Sequence, residues 1–139
     1  MSDVYYLASD TKLKELKNPY IIYKKRGVIM SNALAECYPR TFSIDKKEYG
    51  HLPLKRKYVL GLDFRWQVDA IEMLIQYMQD HLTRANEIEL LNVWLGGNDK
   101  IKSKKILVYQ LDYIFLRQFM CDDENLCDIT KLTVMNRFY

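Results

Sequence analysis

From residue 58 onward the hydrophobic positions change period in a readable order. Tyr58, Leu60, Leu62 and Phe64 alternate with Val59, Gly61 and Asp63, the period-two pattern of a strand over 58–64. Between about 65 and 85 the apolar residues fall three and four apart. Val68, Ile71, Leu74, Ile75, Met78 and Leu82 form one stripe, which predicts an amphipathic helix, and Asn86 stands where such a helix ends. Residues 87–95 return to period two, with Leu91, Val93 and Leu95 on one face and Leu90, Asn92 and Trp94 on the other. Gly96-Gly97-Asn98-Asp99 predicts a hairpin turn, and 101–109 the returning strand. Asp112 predicts an N-cap. The short helix behind it carries Ile114, Phe115 and Phe119, with Leu116 as a competing inward position. Residues 129–138 close as a strand through Leu132 and Val134.

Strand, helix, strand, strand, helix, strand is the order of an α+β protein with a ferredoxin-like βαββαβ core, here over residues 58–138. Right-handed crossovers then put the first and third of these strands at the sheet centre and both helices on one face. The first 57 residues read as a β-rich extension. Short strands are expected at 4–8, 20–24, 28–30 and 41–44, a short helix from Ser31 through Cys37, and a loop over 45–57 with Gly50 and Pro53. With only 5 Gly and 3 Pro there is little room for linkers, so one domain over 1–139 is expected. The sheet face away from the helices would carry Leu90, Trp94, Leu107, Tyr109 and Met135. That is too apolar to stand bare, so the extension is expected to pack on it.

Composition narrows the classes. The chain has 139 residues, 49% hydrophobic and 28% charged, which is globular rather than disordered. A net charge of +3 is too balanced to imply nucleic acid unless the charges segregate on one face. The 11 tyrosines suit half-buried sheet faces and interfaces. Three cysteines, Cys37, Cys121 and Cys127, are an odd number. The opening Met-Ser-Asp-Val-Tyr-Tyr lacks the basic-then-apolar order of a secretory signal. Reduced thiols in a cytoplasm are therefore expected, and no apolar run is long enough to predict a membrane span.

Candidate chemistry is sparse. Cys121 and Cys127 do not have zinc-ligand spacing, and His51 and His81 fall on a predicted loop and helix, so neither metal nor cofactor is predicted. Asp122, Asp123, Glu124 and Asp128 lack the spacing of a calcium loop. Cys37 with either histidine is the one Cys/His pairing to weigh, and Asp63 with Asp69 the one carboxylate pair. Neither completes a catalytic set, and no phosphate-binding glycine loop occurs.

The function expected on these grounds is a non-enzymatic protein-interaction module, an accessory, inhibitor or immunity-type protein of a bacterium or phage. Its partner is expected to be another protein, with a homodimer as a further possibility. The candidate interaction surface is Trp94, Tyr109, Leu90 and Leu107 on the sheet, with Trp66 beside the helix start. The alternative is a nucleic-acid-binding ferredoxin-like domain that stacks bases on Trp94 and Tyr109 beside a basic patch of Lys102, Lys104 and Lys105. Basic runs at Lys24-Lys25-Arg26 and Lys55-Arg56-Lys57 add to it, but the basic-glycine-aromatic signature of such domains is missing.

Overall fold

The computed structural model describes residues 3–16, 23–25, 28–30, 39–50, 52–94, 100–120 and 129–136. It is a mixed α+β fold on a six-stranded sheet. The strands are β1 (Asp3–Ser9), β4 (Arg40–Ser43), β5 (Tyr58–Asp63), β6 (Glu87–Trp94), β7 (Ile101–Leu107) and β8 (Ile129–Met135). Their order across the sheet is β4-β5-β1-β6-β8-β7, antiparallel throughout except for the parallel pair β7–β8. Strands β2 (Tyr23–Lys25) and β3 (Val28–Met30) form a separate antiparallel pair. The described helices are α1 (Lys46–Tyr49), α2 (Val68–His81) and α3 (Tyr113–Met120).

The element order from 58 onward matches the sequence expectation, but the ferredoxin-like strand order does not. That order needs β5 and β7 side by side at the centre. Instead β1 enters between β5 and β6, and β7 is an edge strand. β1 is suited to a central place because both its faces are apolar. Leu7 packs under the helices, Ala8 packs on the opposite side, and both are fully buried. The expected hairpin is corrected for the same reason. β8 lies between β6 and β7, so those two strands do not pair, and the glycine turn itself lies outside the described residues. The β7–α3–β8 unit returns parallel, as a strand–helix–strand crossover does.

α2 and α3 cover one face of the sheet. Ile71, Leu74, Ile75 and Met78 of α2 meet Leu7, Leu62, Leu90, Leu132 and Val134 there. Val68 opens the helix and is 55% exposed, and the turn after Leu82 replaces the expected cap at Asn86. α3 does begin as expected, with the Phe115 N–H donating to Asp112 Oδ1 at 2.7 Å. Its inward face is Leu116, Phe119 and Met120, so Ile114 turns outward and is 66% exposed.

The second face follows a different rule on each half. Over β5, β1 and β6, Leu52 and Leu54 pack on Ala8, Val59, Leu91 and Val93. The stretch read as a polar loop therefore does cover this half. Over β8 and β7 the mid-strand positions Lys131, Thr133, Ser103 and Lys105 are polar, while Ile129, Ile101, Met135 and Leu107 stand at the two ends of the same face. The expected apolar open face is thus corrected in part: Leu107 and Met135 do lie on it, but Leu90, Trp94 and Tyr109 do not. Leu90 is fully buried on the helix side, and Tyr109 has left the strand for the 3-10 turn Val108–Gln110. The β6 phase was ambiguous because a central strand is apolar on both faces.

Two details finish the β4 edge. The Phe42 ring lies over Gly61, its cross-strand partner, where a Cβ would stand 2.2 Å from the ring. On the outer side of β4, Thr41 N–H donates to the Leu16 carbonyl at 3.0 Å, and Leu16 N–H donates to Thr41 Oγ1 at 2.8 Å.

Candidate functional site

The ionisable groups that converge most closely lie at the Ser9 end of β1. Arg56, between β5 and the segment that covers the second face, reaches three carboxylates. Its Nε donates to Glu89 Oε1 at 2.8 Å and its Nη1 to Asp10 Oδ2 at 3.0 Å, while Nη2 donates to Glu87. Lys131 Nζ stands 3.9 Å from Glu89 Oε1. The Glu89 side chain is only 5% exposed, and its Oε2 is buried without a hydrogen-bond partner. Burial opposes the Arg56 charge, but the bonds to Glu89, Glu87 and Asp10 outweigh it and raise the guanidinium pKa. The same bond, then that from the Lys57 N–H, holds Asp10 below the usual carboxylate range. A polar cleft of about 260 Å³ opens beside this cluster, lined by Ser9, Asp10, Thr11, Arg56, Asn86 and Glu87.

A second polar chain runs beneath the cleft. His81, 1% exposed, sits on the apolar face of α2. Arg84 Nη2 lies 3.1 Å from His81 Nδ1, and Nε2 lies 2.8 Å from Ser9 Oγ. A guanidinium can only donate, so Nδ1 accepts and the ring proton sits on Nε2. That proton is donated to Ser9 Oγ, whose own hydrogen goes to the Glu87 carbonyl at 2.9 Å. All three bonds point the same way. His81 therefore cannot take a proton from Ser9, and the pair is not a nucleophile with its base. Burial, and then the Arg84 charge, push His81 down to about 4, which keeps it neutral. The chain ties the end of α2 to β1 and β6.

The remaining sequence candidates scatter. Asp63 forms an exposed ion pair with Arg40 at 3.1 Å, and Asp69 is exposed in the first turn of α2. Cys37, Cys121, Cys127, His51 and the acidic residues 122–124 and 128 lie outside the described residues. Trp66 donates from Nε1 to the Tyr5 hydroxyl at 2.9 Å and packs edge-on against Phe64 at 5.3 Å. Trp94 ends β6 and is 40% exposed, while Leu107 is half-buried at the far end of β7. Trp94 and Tyr109 lie at opposite ends of the sheet, about 20 Å apart by strand rise. The candidate surface is not one patch.

The basic patch is divided as well. Lys102 and Lys104 share the α3 side. Lys102 Nζ lies 4.5 Å from the Phe119 ring centre and donates to the Phe119 carbonyl at 2.7 Å, and Lys104 Nζ lies 5.3 Å from the Phe115 ring centre. Lys105 projects from the opposite face, level with Thr133. Arg56, in the middle of another basic run, is spent on Glu87 and Glu89. Sequence reading missed the Arg56 cluster, although Glu87 and Glu89 share one face of an otherwise apolar strand and so call for a buried cation.

Among the described residues no group of three or more His, Cys, Asp or Glu is placed to hold a metal, and no helix is long and apolar enough to cross a membrane. Compared with known proteins, the chain matches no family model, no curated protein and no solved structure.

Proposed function

We propose that this chain is a small non-enzymatic protein-interaction module, of the accessory, inhibitor or immunity type, acting in a bacterium or phage. One observation carries the reading. Tyr109 and Ile114, exposed by 72% and 66%, lie on the short stretch from the end of β7 into α3, at one margin of the sheet, with Ile101, 53% exposed, at the other end of β7. Large apolar and aromatic side chains on such a margin supply contact energy once a partner removes them from water. The convergent polar groups support the same side, because they are engaged with one another: Arg56 with three carboxylates, and His81 with Arg84 and Ser9. Nucleic-acid binding gains less support. Its basic residues lie on two faces and its two aromatic platforms at opposite ends.

The test is site-specific photo-cross-linking in source cells, with a photoreactive phenylalanine analogue replacing Tyr109 and, as the control, exposed Val68 on α2. A discrete nuclease-resistant protein adduct from position 109 and none from 68 is the expected result. A nuclease-sensitive adduct, or equal labelling from both positions, overturns the reading.

A further inference from the structure

A second cleft, of about 360 Å³, opens at the other end of the sheet from the Arg56 cluster, where β1 begins and β5 finishes. Arg40, Phe42, Asp63, Val4, Tyr5 and Phe64 are among the residues that line it. Phe42 supplies a flat wall. With no side chain at Gly61, the ring settles over that backbone, so closely that a Cβ there would stand 2.2 Å from it. The ring is nevertheless 44% exposed. An aromatic ring pinned on one side and wet on the other is a stacking platform. A further apolar wall is fixed by packing. Tyr5 and Phe64 are buried with ring centres 4.5 Å apart, and Trp66 packs on Phe64 at 5.3 Å.

The polar groups of the cleft leave a specific remainder. Arg40 Nε and Nη2 both donate to Asp63 Oδ2, at 3.3 and 3.1 Å. Among the described residues, Arg40 Nη1 meets no acceptor and Asp63 Oδ1 meets no donor. The ion pair therefore presents one open donor beside one open acceptor. Arg40 and Asp63 are also the charged side chains of the described lining, and their charges cancel.

We propose that this cleft binds a free, uncharged planar heterocycle whose edge sets a carbonyl beside an N–H, the lactam edge of a nucleobase or nucleoside. The ring stacks on Phe42, the carbonyl accepts from Arg40 Nη1, and the N–H donates to Asp63 Oδ1. Both bonds are charge-assisted, and neither asks the ion pair to open. The volume lies in the range of small-molecule sites, roughly 300–1,000 Å³. A phosphodiester strand fits worse, because Asp63 already neutralises Arg40 and the lining holds no spare cation for a phosphate. A carboxylate ligand would face Asp63, and an amidinium would face Arg40. The site is separate from the margin at β7 and α3, which lies across the sheet from β4.

The test titrates the full, nitrogen-15-labelled chain with inosine and follows proton–nitrogen correlation spectra that include the Arg40 side-chain Nε–H. The side chains of the ion pair are 60% and 55% exposed, so water competes for both bonds and a dissociation constant on the order of 1 mM is expected. Saturable shifts are expected at Gly61, Asp63 and Arg40 Nε and none at Lys105. N1-methylinosine, which lacks the N–H, is expected to bind about tenfold more weakly or worse. So is inosine to Phe42→Leu, which keeps Gly61 covered but loses the flat ring, and to Arg40→Gln. Should either variant fail to fold, the methylated nucleoside on the unchanged chain carries the test. Absence of saturable shifts at the cleft overturns the proposal, as does equal binding of N1-methylinosine or unchanged binding to both variants. Tighter binding of benzoate, benzamidine or an oligouridylate than of inosine also overturns it. Cross-linking from position 109 reads the interaction module separately, so either reading can fall while the other stands.

Discussion

The two edges of the sheet are built differently. At the β4 edge the chain uses its own backbone as a stop. Leu16 exchanges two hydrogen bonds with Thr41 across the outer side, Phe42 covers Gly61, and Arg40 pairs with Asp63. The strand is only four residues long. At the other edge β7 runs for seven residues. The Lys100 carbonyl before it accepts from Ile129 N–H of β8, so alternation turns the backbone of Ile101, Ser103 and Lys105 outward. Among the described residues no strand pairs with that outward backbone. A short edge closed by the chain itself offers nothing to a partner strand. A long edge that carries lysines disfavours pairing with a like-charged strand. The Arg56 cluster and the His81 chain lie between these edges, at the central strands β1 and β6.

Breaking the polar locks at the sheet centre gives the largest effects. Arg56→Met leaves the buried Glu89 with Lys131 at 3.9 Å as its remaining cation among the described residues and is expected to cost about 3 kcal/mol. Urea unfolding measures it, and a cost under about 1 kcal/mol would show that the cluster is a surface ornament. Acid acts on the His81 chain. Folding lowers this pKa from 6.5 to about 4, so the unfolded chain binds the proton more readily. The stabilisation is complete above about pH 6.5 and is lost as pH falls toward 4. The loss is expected to be on the order of 1–2 kcal/mol after solvent screening. His81→Gln should flatten that part of the pH–stability curve, and an unchanged slope would remove His81 as its source. Next in size, Thr41→Val removes the acceptor for Leu16 N–H and is expected to cost about 1 kcal/mol, read as a lower unfolding midpoint. Lys105→Gln at the open edge should change stability by less than about 0.5 kcal/mol. A larger loss there would mean that β7 is held by contacts the account does not include.

Much of the fold was legible, and the part that was not has a physical reason. Period fixed the elements from 58 onward, because strand and helix alternations are local. Strand order is not local. β1 pairs Tyr5 with Leu62 on one side and with Asn92 on the other, and nothing in a short apolar run announces such distant partners. Phase failed at β6, where Leu90 and Leu91 are both fully buried, so alternation has no wet side to mark. The stripe of α2 did hold a signal that went unused. His81 follows Leu74 and Met78 onto the apolar face, where a neutral, hydrogen-bonded histidine is the physical expectation. At the Arg56 cluster the flanking lysines disguised the central arginine as part of a solvated run.

The most direct test is native-state hydrogen exchange resolved by residue on the isolated protein. The account predicts that the amides of Thr41, Lys102, Lys104 and Ile106 are protected while those of Ile101, Ser103 and Lys105 exchange near the rate of exposed backbone. Uniform protection along β7, or free exchange at Thr41, would contradict the picture of one closed edge and one open one.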